Sequence, residues 1–128
     1  MTGSKEKILF VDDDAELREI VLEQLIDEGY DVEEAEDGLV AMEKLLQLKF
    51  DLVLLDIKMP GKSGLDLLRF VKERSLKCRV IMLTGVVGLA TAIESLSMGA
   101  DDYITKPYNL DHLLSAIRRV LEEGGKNE

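Results

Sequence analysis

The sequence predicts an α/β fold built on a five-stranded parallel sheet with five helices, and two observations predict it. Strand-length apolar runs alternate five times with stretches of helical period, the pattern of parallel strands joined by right-handed crossovers. Four of those runs also end at residues suited to phosphate or metal chemistry. Phe10-Val11 leads into Asp12-Asp13-Asp14, Leu52-Val53-Leu54-Leu55 into Asp56, Val80-Ile81-Met82-Leu83 into Thr84, and Tyr103-Ile104-Thr105 into Lys106-Pro107. Parallel strands share one C-terminal edge, and open α/β sheets bind ligands there. Carboxylates, a hydroxyl and an ammonium are therefore expected to converge from distant parts of the chain.

Each element has a local justification. Ile8-Leu9-Phe10-Val11 is continuously apolar, as a strand covered on both faces should be. Leu17, Ile20, Val21 and Leu25 recur at helical spacing over residues 15–28, and Gly29 is a natural stop. Asp31–Ala35 is a more polar strand that suits a sheet edge. Ala41, Leu45 and Leu48 mark a second helix opening near Asp37-Gly38. After the strand at 52–55, Lys58-Met59-Pro60-Gly61-Lys62-Ser63-Gly64 is rich in turn formers. Residues 65–74 read as a third helix and 79–83 as a fourth strand, followed by the loop Thr84-Gly85-Val86-Val87-Gly88. Ala90, Ile93 and Leu96 give a short fourth helix ending at Gly99, and the Leu/Ile stripes of this and the other helices are expected in the core. A short strand at 101–105 precedes a long amphipathic helix striped by Leu110, Leu113, Leu114, Ile117, Val120 and Leu121. Residues 124–128 read as disordered.

Composition narrows the class. With 128 residues there is room for one domain, residues 1–128, around one core. A 46% apolar fraction suffices for that core, and 33% charged residues cover its surface. No apolar run approaches bilayer length, and the first seven residues lack a signal peptide's apolar stretch, so a cytoplasmic protein without a membrane role is expected. Cys78, the single cysteine, excludes an internal disulfide, and no Cys/His cluster suggests zinc. A net charge of −10 argues against direct nucleic-acid binding, because such a surface repels phosphates.

The candidate site residues carry different weights. Asp14 stands where a helix N-cap belongs. Asp12 and Asp13 cannot both be caps as well, and carboxylates held together repel unless a proton or divalent cation relieves them. Mg²⁺ prefers oxygen ligands of this kind, so both are assigned to a metal. Asp56 ends a strand in their company, and a carboxylate beside bound Mg²⁺ can attack a phosphoryl group to form an aspartyl-phosphate. Thr84 ends its strand with Gly85 leaving room for a ligand. Lys106 precedes Pro107, which holds it in extended or turn geometry and permits a cis bond. His112 reads as a surface residue and Cys78 as a small core or boundary residue.

Taken together, Val11-Asp12-Asp13-Asp14, Asp56-x-x-Met59-Pro60-Gly61-x-x-Gly64, Thr84-Gly85 and Gly99-Ala100-Asp101-Asp102-Tyr103-Ile104-Thr105-Lys106-Pro107 resemble the receiver domain of two-component response regulators, chemotaxis receivers included, over about residues 6–122. The resemblance implies a doubly wound, flavodoxin-like sheet in the order 2-1-3-4-5. It further implies that Asp56 is the phosphoacceptor, with Asp13 the more direct Mg²⁺ ligand and Asp12 acting largely through water. The Lys58 carbonyl would join the metal shell, Thr84 and Lys106 would each meet a phosphoryl oxygen, and Tyr103 would be the switch aromatic. The partners implied are a sensor histidine kinase or phosphotransfer protein, a downstream protein or effector domain, and a second copy of the chain through helix 4, strand 5 and helix 5. Such a domain helps catalyse its own phosphorylation and is not a turnover enzyme. Whether the chain stands alone or belongs to a longer regulator is left open.

Two other classes fit part of the pattern. A haloacid-dehalogenase-like phosphatase would use Asp12-x-Asp14, Thr84 and Asp101-Asp102, but its lysine should precede the acidic pair, and Asp56 would be idle. A flavodoxin-like cofactor binder wants hydroxyl and backbone donors for the flavin phosphate where this chain has three aspartates.

Overall fold

The computed structural model describes residues 5–59, 62–85, 89–107 and 109–126. Strands and helices alternate as β1 (Lys7–Val11), α1 (Ala15–Asp27), β2 (Asp31–Ala35), α2 (Gly38–Gln47), β3 (Leu52–Asp56), α3 (Gly64–Glu73), β4 (Arg79–Thr84), α4 (Leu89–Ser97), β5 (Asp102–Thr105) and α5 (Leu110–Lys126). All strand pairs are parallel, in the order β2-β1-β3-β4-β5. The order reverses between β1 and β3, and there the crossovers diverge to opposite faces and open a crevice at the strand ends.

Strand periodicity sorts the core into two layers. Leu9, Val11, Val53, Leu55, Val80 and Met82 face one side, with Ala41 and Leu45 of α2, Leu67, Leu68 and Val71 of α3, and Ala92 of α4. Ile8, Phe10, Leu52, Leu54, Ile81 and Leu83 face the other, with Val21 and Leu25 of α1 and Leu113, Leu114, Ile117 and Val120 of α5. Because each central strand is covered on both faces, its sequence is a continuous apolar run rather than an alternation. β2, the polar edge strand, carries its charges to ion pairs of Lys7 with Asp31 and of Lys44 with Glu33.

The helix ends follow local chemistry. Asp14 caps α1 by accepting from the Leu17 N–H, as expected, and Asp37 does the same for α2 through Val40. Ser63 and Asp66 form a reciprocal capping box that starts α3. Gly29 and Gly99 follow α1 and α4 at φ +96° and +108°, a left-handed turn in which Tyr30 and Ala100 donate back to Leu25 and Ser95.

Three expectations need correction. Ile93 and Leu96 are not core: they are 57% and 39% exposed, and α4 buries Ala92 and Ser95 instead. Ile20 is likewise exposed, with α1 burying Val21 and Leu25, and Leu48 lies at the exposed end of α2. The α5 backbone remains helical through residues 124–126, because the ladder propagates past the apolar stripe with no proline to interrupt it. Pro60-Gly61 and the loop residues Val86, Val87 and Gly88 lie outside the described residues, as do Asn127 and Glu128.

Candidate functional site

The parallel register builds the site. Val11 lies opposite Leu55, so Asp12 follows one step beyond a neighbour of Asp56. On the other side of β3, Asp56 pairs with Leu83, and Thr84 is the next residue of β4. Thr84 in turn pairs with Thr105 of β5, and Lys106 follows. Four chain segments thus deliver their polar residues to one edge, as the apolar runs imply.

Asp12, Asp13 and Asp56 each bring a carboxylate oxygen to within 4.8 Å of the other two. Asp12 is fully buried, Asp56 is 6% exposed, and Asp13 faces solvent. The Lys106 ammonium donates to Asp12 Oδ2 at 2.8 Å and to Asp56 Oδ2 at 3.3 Å. Asp12 Oδ1 accepts from the Asp14 N–H at 2.9 Å, and Asp56 Oδ1 from the Lys58 N–H at 3.2 Å. The Lys106-Pro107 bond is cis.

Electrostatics set Asp56 apart. Burial and the neighbouring charge of Asp12 push its carboxyl up from 3.8 to about 6, against the pull of Lys106 and the Lys58 N–H. Burial alone would lower the Lys106 pKa, but its hydrogen bond to Asp12 and the charges of Asp12 and Asp56 outweigh that and raise it. One ammonium faces three carboxylates. The remaining imbalance, the hard oxygen donors and their spacing fit a divalent cation such as Mg²⁺.

The other assigned residues are close but differently engaged. Thr84 is buried and its hydroxyl donates to the Gly85 carbonyl at 3.1 Å, while its own carbonyl accepts from the Lys106 N–H at 2.6 Å. Tyr103 is half-buried against the layer formed with α2, α3 and α4. His112 is exposed. Cys78 is buried, and burial pushes its thiol up to about 11, so it carries no thiolate at neutral pH.

Two supports of the site carry no assignment from the sequence. Gly64, at the start of α3, packs so tightly that a Cβ there would lie 2.4 Å from the Asp56 carbonyl oxygen. Arg18 donates to the Asp12 carbonyl at 2.7 Å. Its signal in the sequence is a charge on a buried stripe, three, four and seven residues before Val21, Leu22 and Leu25.

The fold and site define a doubly wound α/β domain with a carboxylate cluster that could hold a cation at its switch point. A family model described as the response regulator receiver domain matches residues 8–118. The transcriptional regulatory protein DltR of Streptococcus agalactiae is 42% identical over 112 residues, covering 88% of this chain and 50% of that protein. CpxR of Escherichia coli, also a transcriptional regulatory protein, is 41% identical over 122 residues, covering 95% and 52%. A CheY-like response regulator receiver domain protein from Methanospirillum hungatei superposes with a TM-score of 0.92 at 37% identity, covering 98% of this chain and 100% of that one. Chemotaxis protein CheY4 of Vibrio cholerae gives 0.85 at 33%, covering 91% and 99%.

The chain belongs to the response regulator receiver family and is a receiver domain of two-component systems. Receiver domains are signalling domains. The chain spans about half the length of the curated relatives it matches. The phosphatase alternative finds no support in these matches, and the residue it leaves idle, Asp56, sits inside the carboxylate cluster. Among the described residues no helix is long and apolar enough to cross a membrane.

Proposed function

We propose that Asp56 accepts a phosphoryl group from the phosphohistidine of a sensor histidine kinase or phosphotransfer protein. The observation that carries this is the placement of Asp56: nearly buried at the switch point, within reach of Asp12, Asp13 and Lys106. A carboxylate oxygen of Asp56 attacks phosphorus, the phosphorus–nitrogen bond breaks, and its electron pair returns to the imidazole. Asp12, Asp13, Asp56 and the Lys58 carbonyl would hold Mg²⁺, which when bound supplies positive charge to the transferring oxygens.

The chain's own residues then register the new charge. Lys106 exchanges a carboxylate partner for a phosphoryl oxygen, a charge-assisted hydrogen bond. Thr84 releases the Gly85 carbonyl and turns its hydroxyl to another phosphoryl oxygen. Its movement opens space for the Tyr103 ring, which repacks the face made by α4, β5 and α5. A full swing from about 1:99 to 99:1 needs roughly 5.5 kcal/mol of differential interaction. Two or three such bonds supply part of that, so a partial shift is the expected response. In this reading the repacked face controls a downstream protein or effector domain, or a second copy of the chain. The domain is cytoplasmic, makes no direct contact with nucleic acid, and promotes its own modification without turning over an external substrate.

The test is acetyl phosphate with Mg²⁺, read by intact mass and peptide mapping. One phosphoryl group is expected, at Asp56, lost in Asp56→Ala and suppressed by EDTA. Labelling at full rate in Asp56→Ala overturns the assignment.

A further inference from the structure

We infer that Arg18 is a positioning residue for the acidic pair, holding the Asp12–Asp13 peptide so that both carboxylates meet the metal. This rests on the Mg²⁺ reading above. The Arg18 side chain is only 14% exposed and its guanidinium forks: Nη1 donates to the Asp12 carbonyl at 2.7 Å, and Nε donates to Glu34 Oε1 of β2 at 2.9 Å. The same Asp12 is held at every other polar atom. Its N–H donates to Ala35, Oδ1 accepts from the Asp14 N–H, and Oδ2 takes Lys106. Asp13 is exposed, so its place depends on the backbone that carries it. A peptide unit is planar, so fixing the Asp12 carbonyl oxygen also fixes the Asp13 nitrogen and Cα. Arg18 therefore orients Asp13 without touching its carboxylate, and Glu34 orients Arg18.

This role and a purely electrostatic one predict opposite signs. A cation beside a cation site opposes Mg²⁺, so if charge alone mattered, removing Arg18 would tighten binding. If Arg18 positions the pair, removing it loosens binding, as loss of partners behind metal ligands does. Arginine matters for its planar fork, which lysine cannot reproduce across two acceptors.

The experiment titrates Mg²⁺ into the whole chain, following the amide resonances of Asp12, Asp13 and Asp56, with urea unfolding of each variant in parallel. Arg18→Gln should raise the Mg²⁺ dissociation constant about tenfold. Arg18→Lys should fall between it and the wild type, and Glu34→Gln should weaken binding in the same direction by less. Arg79→Gln, which cuts the Arg79–Asp101 pair at the opposite end of the sheet, should leave Mg²⁺ binding unchanged whatever it does to stability. An unchanged or lowered constant in Arg18→Gln overturns the inference, as does equal weakening in Arg79→Gln. If Arg18→Gln does not fold, wild-type affinity in both Arg18→Lys and Glu34→Gln overturns it. No Mg²⁺ uptake by the wild type defeats the metal reading itself, a distinct result.

Discussion

Lys106 and Asp12 are 94 residues apart in the chain, and their charges meet at 2.8 Å. Asp12 has no access to water, so the lysine is its counter-charge, and β5 is tied to β1 across two intervening strands. The same ammonium reaches Asp56, so one lysine offsets part of the repulsion that a metal would otherwise have to relieve.

Lys106→Met, which keeps most of the bulk and removes the charge, should destabilise the metal-free domain. A fully buried pair broken on one side costs about 3–5 kcal/mol. Lys106 is one-quarter exposed, so about 1–3 kcal/mol is expected after allowing for solvent screening. Urea unfolding in EDTA measures it, and Mg²⁺ should stabilise the variant more than the wild type. A midpoint equal to the wild type's would mean that Asp12 does not depend on Lys106.

Asp56 gives a pH signature of known sign. Its folded pKa, about 6, lies above the ordinary aspartate value of 3.8, so the folded state favours the protonated form. The stability it contributes is fully present below the unfolded pKa and lost as pH rises through 6. Asp56→Asn should therefore be more stable than the wild type at neutral pH, by on the order of 1–3 kcal/mol. That advantage should shrink as pH falls from 6 to 4. Thermal melts across this range in EDTA test it, and a difference independent of pH would contradict the account of the cluster.

Gly64→Ala should disturb the end of β3 through sterics alone. The added Cβ would stand 2.4 Å from the Asp56 carbonyl oxygen and 2.8 Å from Ile57 Cα, both backbone atoms that cannot swing aside. Overpacking of this kind costs about 1–3 kcal/mol, and slower phosphoryl uptake should accompany it. Gly85→Ala is the control for stability alone, because among the described residues its Cβ would meet nothing within 4 Å. Equal stability of the two variants, with wild-type labelling in Gly64→Ala, would show that the contact at Gly64 is unimportant.

What could be read from the sequence was what is local. A central strand covered on both faces advertises itself as Leu52-Val53-Leu54-Leu55, and the residue that ends it reaches the shared edge. So the convergence of Asp12, Asp56, Thr84 and Lys106 on one edge is legible in the sequence itself. The phase of α4 was not. Its buried face is made of Ala92 and Ser95, while Ile93 and Leu96 point outward, so a rule that places large apolar residues inside inverts the helix. The fork of Arg18 depends on an acceptor from β2, and the tight seat of Gly64 on the path of β3. Neither is visible in sequence spacing. Alternation of elements also leaves strand order undetermined; that came from the resemblance.

Tyr103 tests whether charge at Asp56 travels. It pairs with Met82 in the β4–β5 ladder, and its ring packs half-buried against the layer carrying α2, α3 and α4. Two residues further along each strand, Thr84 and Thr105 are paired, and Thr84 still gives its hydroxyl to Gly85. In the proposed switch, Thr84 turns toward the phosphoryl group and the Tyr103 ring follows into the space. Tyr103 is not one of the clustered carboxylates, so in Tyr103→Ala phosphoryl uptake at Asp56 should remain within about twofold of wild type, less than 0.5 kcal/mol in the barrier. Amide exchange in α4 and α5, or dimer formation, should lose most of its response to phosphorylation. Lys106→Met should impair both readouts, because it removes a partner of the phosphoryl group itself. Wild-type exchange changes in phosphorylated Tyr103→Ala would reduce Tyr103 to a packed aromatic of an edge strand and end this account of transmission.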